Sequence, residues 1–352
     1  MRPLAEASLA ELQSLLRGVS RSFYLSIRLL PAPLRRPVAV AYLLARAADT
    51  LADAPGLPGP ARLAGLQALA AAIDQGSAGP ATLRQTIAGP GGTAMDGDEQ
   101  RLLAALPRCL EWLDTLPAED QHDVRTVLRH ITHGQALDLQ RFGEPQAPAG
   151  AVRALASAGE LEQYTYLVAG CVGEFWTDLC FRHVPGFSTL PAADLRKLGR
   201  EYGTGLQLVN ILRDCGSDLS QGRCYLPGDE LAAAGLAPGD LRSNPRRLAP
   251  VWMRWHARAL ERMDAGLRYA LAVNSPRIRA AGVLPALLGA RTLALLQAAG
   301  PGALDRRVKV PRSEVRATLG RMAVTLARRE PLERHYRRLR EAPVNGWDNR
   351  AR

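Results

Sequence analysis

Two segments of the chain carry residues whose types and spacing could do chemistry. The first, AYLLARAADTLAD, holds Tyr42, Arg46, Asp49 and Asp53. Their offsets of 0, +4, +7 and +11 place them on one stripe of a helix. The second, GTGLQLVNILRDCGSD, holds Gln207, Asn210, Asp214 and Asp218 at 0, +3, +7 and +11, with Arg213 alongside. The first stripe is set among residues that are mostly Ala and Leu, so it faces either water or a polar cavity. A lone Asp-x-x-x-Asp on a helix is usually a solvated face. Two stripes of the same design, each with Arg or amide side chains embedded in an apolar helix, point instead to a functional site.

The spacing has a chemical reason. Aspartates at i and i+4 project side by side, one turn apart. Mg²⁺ is a hard cation held by one or two carboxylates together with water and substrate phosphates. Two such pairs facing each other would hold a metal cluster and with it a diphosphate. Arg46 and Arg213 sit beside the aspartates and can grip phosphate oxygens in a bidentate manner. A di-iron carboxylate bundle is the competing metal reading, and it requires two Glu-x-x-His motifs. The chain has one, Glu119 to His122, in a polar patch after a Pro, so that reading is set aside. His130 and His133 have metal-compatible spacing but no evident third ligand.

The elements that must position these residues read as helices. The periodicity predicts helices near 5–17, 22–29, 34–53, 60–75, 98–114, 118–141, 150–155, 159–182, 191–218, 245–273, 276–298, 312–328 and 330–340. Segments 76–97 and 219–228 read as loops, and strands are not favoured. With no shift in composition along the 352 residues, the expectation is a single all-α domain over 1–352, a helical bundle around a central cavity, with 1–17 and the basic tail 330–352 peripheral. The net charge is +11, with hydrophobic residues at 47% and aromatics at 5%. Such a surface suits nucleic acid, an anionic membrane or a polyanionic small molecule. No nucleic-acid motif accompanies it, and no nucleic acid is expected as a partner. The stretch 328–340 reads as a solvated basic helix face. Five irregularly spaced cysteines read as reduced thiols, the N-terminus as an amphipathic helix and not a signal peptide, and no run as a membrane span. The expected location is cytoplasmic, with at most peripheral contact at the inner membrane surface.

At these same residues the sequence resembles the squalene/phytoene synthase family of head-to-head prenyl synthases. The likeness lies in SRSF at 20–23, YLLARAADTLAD at 42–53, YTYLVAGCVGEFW at 164–176 and GLQLVNILRDCGSDLSQGRCYLP at 205–227, and it extends over roughly residues 18–330. It implies an isoprenoid-synthase-type helical bundle and a Mg²⁺-dependent prenyltransferase acting on farnesyl diphosphate. By resemblance, Asp49 with Asp53 and Asp214 with Asp218 are the metal-binding pairs, and Arg21, Arg46, Arg213 and Arg223 are the diphosphate-gripping arginines. Tyr164 matches the catalytic tyrosine. Phe23, Tyr42, Gln207, Asn210 and Tyr225 match positions near the substrate. One departure is Ala52, where many squalene synthases carry a Glu.

Members of the family share condensation to a cyclopropylcarbinyl diphosphate and differ in the second step. Two segments lean toward NADPH-dependent squalene formation. GVLPALLGARTLALL at 282–296 resembles the squalene synthase helix with its internal Pro285. RVKVPR at 307–312 resembles the stretch that supplies basic NADPH contacts. Arg21, Arg46, Asn210, Arg213, Lys309 and Arg312 are the implied cofactor contacts. There is no Rossmann glycine fingerprint, so NADPH would bind without one. The alternatives are phytoene, dehydrosqualene or hydroxysqualene formation without NADPH and, in a different class, a non-catalytic scaffold that docks on membranes.

Overall fold

Ala and Leu supply helix propensity along the chain, and Pro and Gly punctuate it. The structure is a computed structural model and describes residues 2–20, 24, 27–28, 30–54, 57–76, 97–143, 152–325 and 329–341. Among these residues the fold is all-helical apart from one short two-stranded ladder. The centre of segment 76–97, most of the expected 22–29 helix, and Arg21 and Phe23 lie outside the described residues.

The chain forms two compact units, Met1–Glu144 with Asp178–Pro185, and Pro145–Thr177 with Gly186–Arg352. In the first unit the Ala32–Ala52 helix packs against Gly59–Gln75, Leu106–Asp114 and Ala118–Phe142. It buries Leu34, Val38, Leu43, Leu44 and Leu51, and small residues at Ala39, Ala47 and Ala48 complete its inner face. The expected 98–114 helix is broken into Gly97–Ala104 and Leu106–Asp114. Pro107 causes the break, because it has no N–H to donate and its ring crowds the preceding turn.

In the second unit the Ala192–Ser220 helix packs along Pro245–Ala272 and against the turn Tyr166–Gly170. The approach is close enough that a Cβ on Gly173 would strike the carbonyl of Gly199, so these glycines permit backbone contact between helices. By length and composition Pro276–Leu304 is apolar enough to cross a membrane, at a mean hydropathy of 1.4, against the expectation that no run reads as a span. It lies half-buried, and Val283, Leu287, Leu293 and Leu296 pack inward as in a core helix. In the basic Arg329–Arg340 helix Leu332 and Tyr336 are buried, while Arg334 and Arg337 lie exposed and pair with Glu330 and Glu333 one turn away.

Two local expectations are corrected. Arg153–Leu155 is a strand and not the end of a 150–155 helix, and it pairs in parallel with Arg223–Pro227, inside the expected 219–228 loop. The Ala192–Ser220 helix ends where Gly222 takes φ 77°, and the chain then runs extended. The Arg153 N–H donates to the Gly222 carbonyl at 2.9 Å and starts the ladder. A three-residue strand is too short to display period-two alternation, so the pattern carries no sign of it.

Candidate active site

The two Asp-x-x-x-Asp pairs belong to different units, and each lies at the C-terminal end of its helix. Asp53 caps the Ala32–Ala52 helix, and Asp214 and Asp218 lie in the last two turns of Ala192–Ser220. A helix C-terminus carries a partial negative charge of roughly half an electron. Carboxylates placed there add to that charge, an arrangement that disfavours isolated anions and favours a cation.

In the first unit Tyr42, Arg46 and Asp49 are half-buried and Asp53 is exposed, while Leu43, Leu44, Ala47, Ala48 and Leu51 are buried. The stripe is therefore the wet edge of a packed helix. Asp49 Oδ1 accepts a 2.5 Å hydrogen bond from Gln135 Nε2 on the Ala118–Phe142 helix. Burial pushes the Asp49 carboxyl up from 3.8 to about 6, with Asp53 adding to the rise and Arg46 and the Gln135 hydrogen bond opposing it. Arg46 Nη2 donates to Glu99 Oε1 at 2.7 Å. Thr50 Oγ1, Arg46 Nε and Gln135 Oε1 are buried with no hydrogen-bond partner among the described residues. Each such atom costs about 1–3 kcal/mol if it stays unpaired. A raised carboxylate pKa beside orphaned polar atoms fits a hydrated cation and a phosphate.

In the second unit Gln207, Asn210, Arg213, Asp214 and Asp218 are half-buried, and Leu208, Val209, Ile211, Leu212 and Cys215 between them are buried. Asn210 Nδ2 reaches Gln207 Oε1 at 3.4 Å. Arg213 grips Asp214 through Nε at 3.1 Å and Nη2 at 2.5 Å. Arg307 adds a second guanidinium, with Nε 3.0 Å from Asp214 Oδ1. In the sequence Arg307 is marked only as the first residue of RVKVPR, with nothing to tie it to Asp214. The available signal was Gly216 inside the motif, because a Cβ there would strike the Leu304 carbonyl. That glycine lets the Gly300–Leu304 turn dock on the helix and carries Arg307 to Asp214. Arg213, Asp214, Ser217, Arg242, Arg306 and Arg307 line a cleft of about 170 Å³. Arginines and hydroxyls around one carboxylate suit a polyanion joined to a cation.

Tyr164 and Tyr225 stack at 5.1 Å between ring centroids and 22° between planes. Both are buried, and the contact joins the Ala158–Thr165 helix to the Arg223–Pro227 strand. Immediately after Tyr164 the chain takes a π-helical turn, Tyr166–Gly170, a distortion often found at functional sites. Arg223 is half-buried at the start of the strand. Lys309 and Arg312 are exposed, the latter at the start of the Arg312–Thr325 helix. All five cysteines are unpaired and buried.

Among the described residues no three His, Cys, Asp or Glu side chains cluster as a metal cage. Neither aspartate pair is self-sufficient. A carboxylate pair is nevertheless what Mg²⁺ uses when phosphate oxygens and water complete its shell.

A family model described as squalene/phytoene synthase matches residues 16–314. The phytoene synthase of Thermus thermophilus is 32% identical over 324 residues, covering 90% of this chain and 92% of that one. The bifunctional lycopene cyclase/phytoene synthase of Colletotrichum graminicola is 30% identical over 228 residues, covering 64% of this chain and 35% of that one. Against several such fungal bifunctional relatives the chain spans only 18% to 39% of their length. Among solved structures, a ligand complex of TcSQS matches with a TM-score of 0.76 over 98% of this chain and 94% of that one. At 20% identity that likeness bears on the fold, an isoprenoid-synthase-type helical bundle.

Proposed function

The chain belongs to the squalene/phytoene synthase family, a family of prenyltransferases, and we propose that it joins two prenyl diphosphates head to head in a Mg²⁺-dependent reaction. The observation that carries this reading is the recurrence of one design in both units: a helix that ends in an aspartate pair with an arginine against or beside it.

In this reading Asp49 with Asp53, and Asp214 with Asp218, would hold Mg²⁺. The ions, when bound, supply Lewis-acid stabilisation of the departing pyrophosphate. Asp214 is held by Arg213 and Arg307. With a cation on the Asp214 carboxylate, Arg213 and Arg307 would be available to phosphate oxygens. Arg46 provides the corresponding charge in the first unit. The stacked rings of Tyr164 and Tyr225 present π faces suited to a carbocation. By its match to the family's catalytic tyrosine, the Tyr164 hydroxyl would assist proton removal or cation steering during cyclopropane formation.

For the ending we propose squalene, formed from two farnesyl diphosphates through presqualene diphosphate with hydride from NADPH. Its support is the resemblance of 282–296 and 307–312 together with the exposed cations Arg306, Arg307, Lys309 and Arg312, which suit a polyanionic cofactor. A second reading, phytoene or dehydrosqualene formation by proton loss without NADPH, draws support from the phytoene synthase named among the relatives at 32% identity. Product analysis by mass spectrometry decides between them. Squalene that appears only when NADPH is added supports the first, and an NADPH-independent hydrocarbon overturns it in favour of the second. We further propose that the enzyme acts in the cytoplasm with peripheral contact to the membrane that receives its apolar product.

A further inference from the structure

Gln135 stands out in the first unit because its amide is only half used. Nε2 donates to Asp49 Oδ1 at 2.5 Å. Oε1, on the same amide, is buried and has no hydrogen-bond partner among the described residues. The side chain belongs to the Ala118–Phe142 helix, which packs along the Ala32–Ala52 helix that carries the aspartates. An apolar residue of similar length would fill this position without leaving a carbonyl unpaired. An amide there gains one hydrogen bond to a carboxylate and pays with a buried acceptor.

The orphan lies in company. Arg46 Nε and Thr50 Oγ1, one turn apart on the aspartate helix, are also buried without partners. Together with Gln135 Oε1 they make three buried, unpaired polar atoms on the aspartate helix and the helix packed against it. The surplus among them includes an acceptor, the Gln135 carbonyl. The terminal phosphate of a prenyl diphosphate, with a last pKa of about 6, is mostly deprotonated at neutral pH and is chiefly an acceptor itself. A hydrated divalent cation has protons to give, because water bound to the ion is polarised and donates strongly.

We propose that Gln135 is a positioning residue of the first Mg²⁺ site, its Nε2 orienting the Asp49 carboxylate and its Oε1 accepting from the hydrated ion. This rests on the Mg²⁺-dependent function proposed for the chain. One amide thereby fixes the ligand and also senses the ion's water. Groups in this outer position characteristically change metal affinity by about 10–100-fold when removed. The carbonyl is the half of the amide that a purely structural role leaves unexplained.

The test compares wild type, Gln135→Met and Gln135→Glu as full-length proteins, with Mg²⁺ titrated in the presence of inorganic pyrophosphate. The readouts are unfolding temperature and calorimetric Mg²⁺ affinity, neither of which depends on turnover. Gln135→Met removes both functions at similar volume. Its unfolding temperature without Mg²⁺ is expected to stay close to that of wild type, since the lost bond to Asp49 is offset by removal of the orphaned carbonyl, and its Mg²⁺ midpoint to rise by about tenfold or more. Gln135→Glu keeps an oxygen where Oε1 stands, and its midpoint is expected to lie closer to wild type than that of Gln135→Met. An unchanged midpoint in Gln135→Met overturns the proposal. So does a raised midpoint accompanied by a lower metal-free unfolding temperature and no recovery in Gln135→Glu, since that pattern belongs to a structural residue. If wild type itself shows no response to Mg²⁺ with pyrophosphate, the Mg²⁺-dependent function fails, and the role of Gln135 falls with it.

Discussion

Replacing Asp49 with Asn should stabilise the protein while disabling it. Burial raises the Asp49 carboxyl from 3.8 to about 6, so the folded state favours the protonated form. The sign follows from linkage: the penalty for ionised Asp49 is absent below the unfolded pKa, grows as pH rises from 3.8 to about 6, and is fully present above it. At about 1.4 kcal/mol per pKa unit, the ionised carboxylate costs the metal-free fold roughly 3 kcal/mol. Asn is neutral and nearly isosteric, and its carbonyl can still accept from Gln135 Nε2. The unfolding entropy of a chain this long is roughly 0.7 kcal/mol per degree, so the variant should melt about 3–4 °C higher. Thermal melts without Mg²⁺ should give that increase near about pH 7.5 and almost none near about pH 3, where Asp49 is mostly protonated in both the folded and the unfolded chain. Added Mg²⁺ and pyrophosphate should then raise the wild-type melting temperature and leave the variant nearly unmoved. A variant that melts lower at neutral pH, or by the same offset at both pH values, would refute the claim that burial strains this carboxylate.

Three other expectations concern the second unit. Arg307→Ala removes a side chain that is 55% exposed, so the melting temperature should hold within about 1 °C while KM for the diphosphate rises several-fold. Gly216→Ala places a Cβ against the Leu304 carbonyl and should cost about 1–3 kcal/mol, read by denaturant unfolding, with the same rise in KM because the Arg307 turn is displaced. Tyr164→Phe keeps the stack on Tyr225 and should lower kcat at an unchanged melting temperature, whereas Tyr164→Ala should lower both, the lost stack being worth about 0.5–1.5 kcal/mol. The thiols supply a control on folding: burial pushes Cys109 and Cys171 up to about 12 and Cys224 to about 11, so a thiol reagent at neutral pH should react only after denaturation.

The stripes were legible because a helix repeats every 3.6 residues, and polar side chains against Ala and Leu make that period visible. The burial pattern of Gln207, Asn210, Arg213, Asp214 and Asp218 follows the offsets read from the sequence. What escaped was non-local. Gln135 lies 86 residues from Asp49, and Arg307 lies 93 residues from Asp214, so no spacing rule could join them. The Arg153–Leu155 ladder escaped for another reason, since its three residues are too few to carry a period. The break at Ala105 was available in Pro107 but is masked by the apolar repeat, which runs on past it. Gly173 is a further non-local contact: it meets Gly199 backbone to backbone, 26 residues along the chain, an approach that a side chain would block.

In the proposed reaction the two aspartate pairs drive ionisation of prenyl diphosphates. Pyrophosphate release from farnesyl diphosphate by the purified protein reads that step, with product identified by mass spectrometry, for wild type, Asp49→Ala and Asp214→Ala. Mg²⁺-dependent release is expected, with a thirty-carbon diphosphate accumulating when no reductant is present. Either variant should lose at least about 100-fold, a barrier increase of roughly 3 kcal/mol. Release without Mg²⁺, or full activity in either variant, would contradict that role of the aspartate pairs.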